Sequence, residues 1–300
     1  MTFLMPAMLA LAVAACGYLL WVVAGAVLIA WATTHPVRKP GGFDTTPASF
    51  GAEYEPVTFP SAAGDVRISG WLIPCASPRG LIVLCHGMLA NRMELLPWAE
   101  SFYKAGFSTL VFDFRALGES EGLLATAGYL ETQDFLGALD FISNRSDLTN
   151  LPIGVFGFSM GGSVAITGAA RDQRVKAVAT HGAFATLDRA IMQRCRKHFG
   201  LMARPAAWSI RGLAAYWMPV HSREFAPIAE AANIAPRPFL ILHGSEDSII
   251  LPKDAHDLHA AAGTEGGLHI LPDSGHRRIG DAHRDNAFET VVSFFTKYLP

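Results

Sequence analysis

Charged side chains are missing from the start of this chain: no Asp, Glu, Lys or Arg occurs between Phe3 and Ala32. At 1.5 Å per residue, a helix of roughly 27 residues spans about 40 Å, more than the ~30 Å hydrocarbon core of a bilayer. A cleaved signal peptide has a basic start and an apolar run of about 7–15 residues, and this segment has neither. We therefore predict a transmembrane helix over residues 1–33, with Trp21 and Trp31 towards its far end.

Cysteine is also scarce, with four among the 300 residues: Cys16, Cys75, Cys85 and Cys195. No CxxC pair and no Cys/His metal spacing occurs, which argues against a disulfide framework and a zinc site. We predict neither a metal nor a cofactor. The letters VAAC before Gly17 resemble a lipobox, so a lipoprotein is an alternative to the membrane helix, but the apolar run continues well past Cys16.

The balance of charge is near zero, since the formal net charge is −2. That value gives no sign of a nucleic-acid-binding surface. No basic side chain precedes the apolar run, whereas Arg38 and Lys39 follow it. By the positive-inside rule we predict a single-pass membrane protein whose C-terminal domain is cytoplasmic.

After the apolar run, a Pro-, Gly- and Thr-rich stretch over residues 34–55 indicates a linker. From residue 56 onward an antiparallel strand pair precedes alternating strand and helix patterns. This alternation predicts one α/β domain over residues 56–300, a doubly wound and mostly parallel sheet. Residues 183–236 contain helical patterns and no convincing strand, so we expect a short helical lid there.

Three polar side chains follow predicted strands, and in a doubly wound sheet ligands bind beside the carboxyl ends of the strands. Ser159 follows PIGVFGF, Asp247 follows PFLILHG, and His276 follows GLHILP. A serine hydroxyl needs a base, and imidazole titrates near neutral pH. Alternatives remain for two of the positions: Glu246 or Asp188 for the acid, and His283 for the base.

The stretch Gly157-Phe158-Ser159-Met160-Gly161 resembles the G-x-S-x-G nucleophile elbow of the α/β-hydrolase superfamily. GSEDSIILP resembles its G-x-x-D-x-x-x-P stretch, which favours Asp247 as the acid. The resemblance covers roughly residues 56–298. It implies that Ser159 is the nucleophile, His276 the general base and Asp247 the carboxylate that orients it. We expect glycine at 157 and 161 because side chains there would collide with neighbouring backbone.

The resemblance also implies an oxyanion hole made of two backbone N–H groups. One belongs to Met160, after the nucleophile, and the other to Met88, after a match to the superfamily's His-Gly pair. We expect His86 to brace that loop. DFRALGES resembles the D-x-R-G-x-G-x-S loop, in which an Asp113–Arg115 pair would act as a brace. Ala116 departs from the usual glycine, which puts the loop's backbone angles in doubt.

These observations predict a membrane-anchored serine hydrolase that cleaves an ester or thioester, similar to lysophospholipases and acyl-thioesterases. A prolyl-oligopeptidase-like peptidase and a non-catalytic binding module are the alternatives. The expected partner is a small or lipid-like acyl substrate, and the sequence leaves the oligomeric state open. We expect a chain truncated to begin near Gly51 to be soluble and active. Five aromatic residues of the lid are candidates to receive an acyl chain: Phe184, Phe199, Trp208, Tyr216 and Trp217.

Overall fold

A computed structural model of the chain describes residues 4–37, 44–218, 222–263, 265–277 and 281–299. Helix α1 spans Leu4–Thr34 and is long and apolar enough to cross a membrane, although a signal sequence near an N-terminus passes the same test. Only 11% of its most apolar window is buried inside the molecule. The side chains from Met5 to Trp21 are all exposed.

Within the described residues, eight strands form one sheet in the order β1-β2-β4-β3-β5-β6-β7-β8. The strands are β1 Glu55–Pro60, β2 Arg67–Ile73, β3 Leu81–Cys85, β4 Ser108–Phe112, β5 Ile153–Phe158, β6 Val175–His181, β7 Phe239–Gly244 and β8 Gly266–Leu271. β2 pairs antiparallel with β1 and with β4, and all other pairings are parallel. This arrangement confirms the predicted mostly parallel, doubly wound sheet.

Helices cover both faces of the sheet. They are α2 Leu96–Lys104, α3 Glu131–Ser143, α4 Met160–Arg171, α8 Pro252–Ala262 and α9 Asp281–Tyr298. Neighbouring side chains along a buried strand enter opposite cores: Val155 belongs to the core on one side and Phe156 to the core on the other. A strand buried on both faces reads as a continuous apolar run, which explains the uninterrupted pattern of β3 and β5.

Between β6 and β7 the described residues form helices and turns. The longer helices are α5 Leu187–Phe199 and α6 Ala203–Trp217, and the short helix α7 covers Pro227–Glu230. Residues 219–221 of the predicted lid lie outside the described residues. The lid is fastened to the domain through Asp254 of α8, whose carboxylate accepts hydrogen bonds from the Ala185 N–H at 2.9 Å and from Gln193 Nε2 at 2.8 Å.

α1 packs against the lid through one stripe of its surface. Val22, Ala26 and Ala30 are buried in a third apolar cluster that also contains small residues of α6. Small side chains allow two helices to approach closely, as in membrane helix pairs. Two hydrogen bonds hold the end of α1: Trp217 Nε1 donates to Thr34 Oγ1 at 2.8 Å, and the Ala125 N–H donates to the Thr34 carbonyl at 2.8 Å.

The predicted linker is partly packed on the domain. Residues 38–43 lie outside the described residues, but Pro47–Phe50 forms a 3₁₀ turn and Ala52 is buried in the core beside α2 and α9. The aromatic rings of Phe50 and Tyr103 lie 6.2 Å apart. The described part of this stretch is therefore ordered before β1 begins at Glu55.

Candidate active site

The serine at the centre of the site sits on a strained turn. Ser159 lies between the end of β5 and the start of α4, with φ +53° and ψ −118°. A non-glycine residue in this left-handed region costs on the order of 1–3 kcal/mol and persists only where the surroundings determine it. Here the Ser159 N–H donates to the His181 carbonyl at 2.8 Å, and the Ser163 N–H donates to the Ser159 carbonyl at 3.1 Å. The turn leaves the Ser159 side chain partly exposed at the sheet edge.

The glycines on either side leave no room for a side chain. A Cβ added at Gly157 would lie 2.3 Å from the Gly161 carbonyl oxygen, and one at Gly161 would lie 2.0 Å from the Cys85 carbonyl oxygen. Both contacts are with backbone atoms, which can shift only at a large cost in free energy. The tight passage of α4 over the end of β3 thus depends on these two positions.

His276 joins the serine to a carboxylate. It lies after β8 and is 9% exposed. Its Nε2 is 2.8 Å from Ser159 Oγ, and its Nδ1 is 2.6 Å from Asp247 Oδ2. With Nδ1–H donating to the carboxylate, Nε2 is free to accept the hydroxyl proton. The Phe158 ring lies 5.2 Å from the imidazole, and the left-handed Gly182 also packs against it.

Asp247 is held in a dense set of hydrogen bonds after β7. Its Oδ1 accepts the N–H groups of Ile249 and Ile250 at 2.8 and 2.9 Å. His243 Nε2 lies 3.3 Å from Oδ2. Burial alone would raise the pKa of Asp247, but hydrogen bonds from His243 and His276 outweigh it and hold the pKa far below its ordinary value. The carboxylate is therefore ionised at neutral pH.

The structure places the alternative residues elsewhere. Glu246 is exposed, and its N–H donates to the Ser274 carbonyl at 2.9 Å. Asp188 lies in the first turn of α5 and forms an ion pair with Arg211 at 2.6 Å. The side chain of His283 lies outside the described residues. Asp247 is thus the carboxylate that reaches His276, while Ser159, Asp247 and His276 come together from positions far apart in the chain.

The two backbone donors expected at the oxyanion position both border the cavity in front of Ser159. Met160 and Met88 line it together with Gly87. Met160 is the first residue of α4, so its N–H has no partner within the helix and lies at the positive end of the helix dipole. The loop bearing Met88 is braced by Glu94, whose Oε2 accepts the Gly87 N–H at 2.7 Å.

His86 braces the same loop, as the sequence predicts. Its Nδ1 lies 2.7 Å from the Gly87 carbonyl, and its Nε2 accepts the Phe114 N–H at 3.0 Å. Burial lowers the pKa of His86, so the ring is neutral and Nδ1–H is the donor. The sequence did not predict the bracing role of Glu94, because a glutamate seven residues after a glycine matches no known motif.

The prediction that Asp113 and Arg115 form a pair is wrong, because each has a different partner. Asp113 forms a buried ion pair with Arg92 at 2.6 Å, and Arg115 pairs with Asp134 at 2.7 Å. Both residues still fix the loop after β4, but each does so through a different element. Ala116, where the superfamily's loop usually has glycine, adopts a left-handed conformation with φ +60°.

A cavity of about 150 Å³ opens above Ser159 and is mostly apolar. Of the five aromatic lid residues expected to receive an acyl chain, Phe184 and Phe199 line it. Trp208 and Tyr216 are exposed instead, and Trp217 packs beside Trp31 with ring centroids 5.9 Å apart. One wall was not foreseen from the sequence at all, because it comes from the N-terminal helix: Ile29, Ala30, Thr33 and Thr34.

Comparison with known proteins gives a consistent result. A family model described as the α/β hydrolase fold matches residues 80–218. An uncharacterized 31.7 kDa protein of the traX-finO intergenic region of Escherichia coli is 40% identical over 112 residues, 36% of this chain and 38% of that protein. The match to that relative therefore spans well under half of its length. Thiohydrolase aneE of Aspergillus aculeatus is 34% identical over 128 residues, 42% of this chain and 40% of that protein.

Among solved structures, the Pyrococcus furiosus esterase Pf2001 is similar over almost its whole length. The superposition has a TM-score of 0.73 and covers 89% of this chain and 99% of the esterase, at 21% sequence identity. At that identity the likeness concerns the fold. It agrees with the strand order and with the helices on both faces described above.

Proposed function

We propose that this chain, which has the α/β-hydrolase fold, is a membrane-anchored serine hydrolase that cleaves a carboxylic ester or thioester through an acyl-enzyme intermediate. The observation that carries this proposal is the continuous hydrogen-bonded path from Ser159 Oγ through His276 to the ionised Asp247. The path ends at the floor of an apolar cavity. A binding module would have no need for a strained serine aligned with a base.

In the first half of the reaction, Ser159 Oγ attacks the carbonyl carbon of the substrate while its proton passes to His276 Nε2. Negative charge develops on the carbonyl oxygen, and in this proposal the N–H groups of Met88 and Met160, which border the cavity, stabilise it. Asp247 offsets the positive charge of the imidazolium without accepting its proton. The tetrahedral intermediate then collapses, and His276 donates the proton to the departing alcohol or thiol.

In the second half, water replaces the departed group. His276 takes a proton from this water, whose oxygen attacks the acyl carbon bound to Ser159. Collapse of the second intermediate returns the proton to Ser159 Oγ and releases the carboxylic acid. An apolar cavity suits an acyl chain better than a peptide, and the similarity to a thiohydrolase supports including thioesters among the substrates.

The membrane anchor in this proposal is α1, supported by its length, its lack of charge and the exposure of its side chains from Met5 to Trp21. The two basic residues that follow, Arg38 and Lys39, support a cytoplasmic domain. A reporter fused after Pro300 tests the orientation. Full-length protein recovered in the soluble fraction would contradict the anchor.

Labelling with a fluorophosphonate tests the catalytic part, because the probe reacts only with an activated serine. We expect labelling of the full-length protein and none of the Ser159→Ala protein. A panel of p-nitrophenyl esters, acyl-CoA thioesters and aminoacyl amides then separates the substrate classes. Preference for the amides would favour the peptidase alternative, and absence of labelling would leave the binding-module alternative.

A further inference from the structure

Besides its proposed role as a membrane anchor, the N-terminal helix α1 borders the cavity with its last turns. The cavity is lined by Ile29, Ala30, Thr33 and Thr34 of α1, together with residues of α5 and α6 such as Ile191 and Ile210. Ala30 is 2% exposed, and Ile29 is partly buried. The cavity that contains Ser159 is therefore closed on one side by a segment outside the α/β domain.

The packing of α1 on the lid also fixes where a bilayer must lie. Residues from Leu4 to Trp21 would rise about 27 Å along the helix axis, slightly less than the ~30 Å hydrocarbon core. Directly after this segment the helix meets the lid: the Trp21 and Phe199 ring centroids are 5.6 Å apart, and Gly25 packs against Phe199. The turn between α5 and α6 therefore lies at the membrane surface if α1 spans the bilayer.

The turn between α5 and α6 exposes large apolar side chains, which suit contact with a membrane. Leu201, at its tip, is fully exposed, and Trp208 on α6 is 77% exposed. Exposed large apolar side chains beside a membrane helix are suited to the interface. α6 runs beside α1 in the same direction, since Phe199, just before α6, contacts Trp21 while Trp217 at its end contacts Thr34. Ile29 lies eight residues beyond Trp21, about 12 Å along the axis.

We propose that α1 forms one wall of the acyl-binding site, so that Ile29 and its neighbours set the length of acyl chain that the enzyme accepts from a bilayer lipid. This inference rests on the proposed serine hydrolase function. The reacting carbonyl lies at Ser159, and the chain extends from there between α1, α5 and α6. The lining of this cavity is mostly apolar, which suits an acyl chain.

Chain-length preference tests the proposal on the full-length protein reconstituted in phosphatidylcholine vesicles. Ile29→Trp narrows the cavity, whereas Ile29→Ala widens it. Excluding about two methylene groups from the cavity should lower the ratio of kcat/KM for long-chain to short-chain p-nitrophenyl esters about tenfold in Ile29→Trp. Ile29→Ala should move the preference toward longer chains. Opposite shifts from one position cannot result from misfolding.

The neighbouring residue supplies a matched control. Leu28 is an apolar side chain of the same size on the outer face of α1, 66% exposed. Leu28→Trp and Leu28→Ala should keep the chain-length preference of the unaltered protein. Identical profiles for the Ile29 and Leu28 variants would overturn the proposal.

A second measurement does not depend on turnover. The Ser159→Ala protein in the same vesicles is exposed to a photoreactive sixteen-carbon fatty acid, and crosslinks are located by mass spectrometry. We expect crosslinks in the last two turns of α1, reduced severalfold by adding Ile29→Trp and unchanged by adding Leu28→Trp. Crosslinking without fluorophosphonate reactivity of Ser159 would refute the hydrolase but keep the acyl site. Reaction of Ser159 with the fluorophosphonate but no crosslinks on α1 would support the hydrolase and refute the acyl site.

Discussion

The floor and the roof of the cavity are built on different principles. The floor consists of loops at the ends of β3, β5, β7 and β8, held by short hydrogen bonds and by glycines that tolerate no Cβ. The roof consists of α1, α5 and α6, whose contacts are mostly apolar and involve small residues. Short hydrogen bonds thus fix the geometry of the floor, whereas the roof is held mainly by apolar packing with a few hydrogen bonds at its ends. The floor is suited to chemistry, and the roof to a substrate without directional groups.

The largest expected effect comes from removing the nucleophile at the centre of the floor. Ser159→Ala removes the nucleophile but leaves the buried surroundings intact, so kcat for a p-nitrophenyl ester should fall by roughly 10⁴–10⁶. His276→Ala should be about as damaging, because the two groups act as a unit. The melting temperature in detergent serves as the check on folding. Retention of most esterase activity by Ser159→Ala would refute the assignment.

The next effect distinguishes two adjacent carboxylates of the floor. Asp247→Asn keeps the shape but removes the charge that orients and stabilises the imidazolium, so kcat should fall around 10⁴-fold. Glu246→Gln, at the exposed neighbouring position, should change kcat less than about tenfold. Both are measured with one ester under identical conditions. The reverse ranking would move the acid to Glu246, and two mild effects would point to a carboxylate from another element.

The floor could be predicted from sequence because its residues occupy local patterns with fixed backbone requirements. Gly157, Ser159 and Gly161 specify a strand-to-helix turn, and Asp247 and His276 follow strands that a parallel sheet brings to one edge. The alternation of strands and helices likewise predicted the sheet. Fold and candidate site therefore followed from short stretches read separately.

The roof could not be predicted in this way. The stripe Val22, Ala26 and Ala30 has helical spacing, but a uniformly apolar helix offers no contrast between faces, so nothing marks the face that contacts protein. The sequence did not predict the ion pairs of Arg92 and Arg115 for a similar reason, because a charged side chain outside a regular sequence pattern has many possible partners. Which partner it meets depends on tertiary packing.

A third prediction tests whether α1 is part of the folded roof. Ala26 is fully buried in the contact with the lid, whereas Ala24 lies on the exposed face of the same helix. Ala26→Trp should overpack the contact and lower the free energy of unfolding by about 1–3 kcal/mol, and Ala24→Trp should leave it nearly unchanged. The melting temperature in detergent reports the difference.

Equal melting temperatures of these two variants would mean that α1 is only tethered to the domain. A difference between them, in contrast, would refine the expectation that a chain beginning near Gly51 is soluble and active. Such a chain would lose the residues that cover the lid cluster and one wall of the cavity. We now expect it to be less stable and less active on long-chain esters, although Ser159 should still react with a fluorophosphonate.

A fourth prediction concerns the buried histidine beneath the site. Burial, with smaller contributions from the positive charges of His243 and His276, lowers the pKa of His181 to about 3. The folded-state pKa lies below the ordinary value of about 6.5, so this contribution to stability is complete above that pH and is lost progressively towards pH 3. Between pH 7 and pH 5 the loss should be about 2 kcal/mol.

The matched variant is His181→Phe, which fills the same space and binds no proton. Its melting temperature should fall less than that of the unaltered protein when the pH is lowered from 7 to 5, by about 4–8 °C. Measurements in one detergent at both pH values give this difference directly. A parallel fall in the two proteins would show that His181 does not contribute to acid sensitivity.

The smallest expected effect tests the backbone strain in the loop after β4, next to the floor. Ala116 has φ +60°, a conformation that costs a residue with a Cβ roughly 1–2 kcal/mol, whereas Ala138 lies inside α3. In Ala116→Gly, relief of this strain offsets the larger entropy of the unfolded chain, so the free energy of unfolding should stay within about 0.5 kcal/mol of its original value. Ala138→Gly gains no such relief and should lose about 1 kcal/mol or more. Equal losses at the two positions, measured by denaturant unfolding in the same detergent, would mean that the loop after β4 holds its left-handed turn without strain.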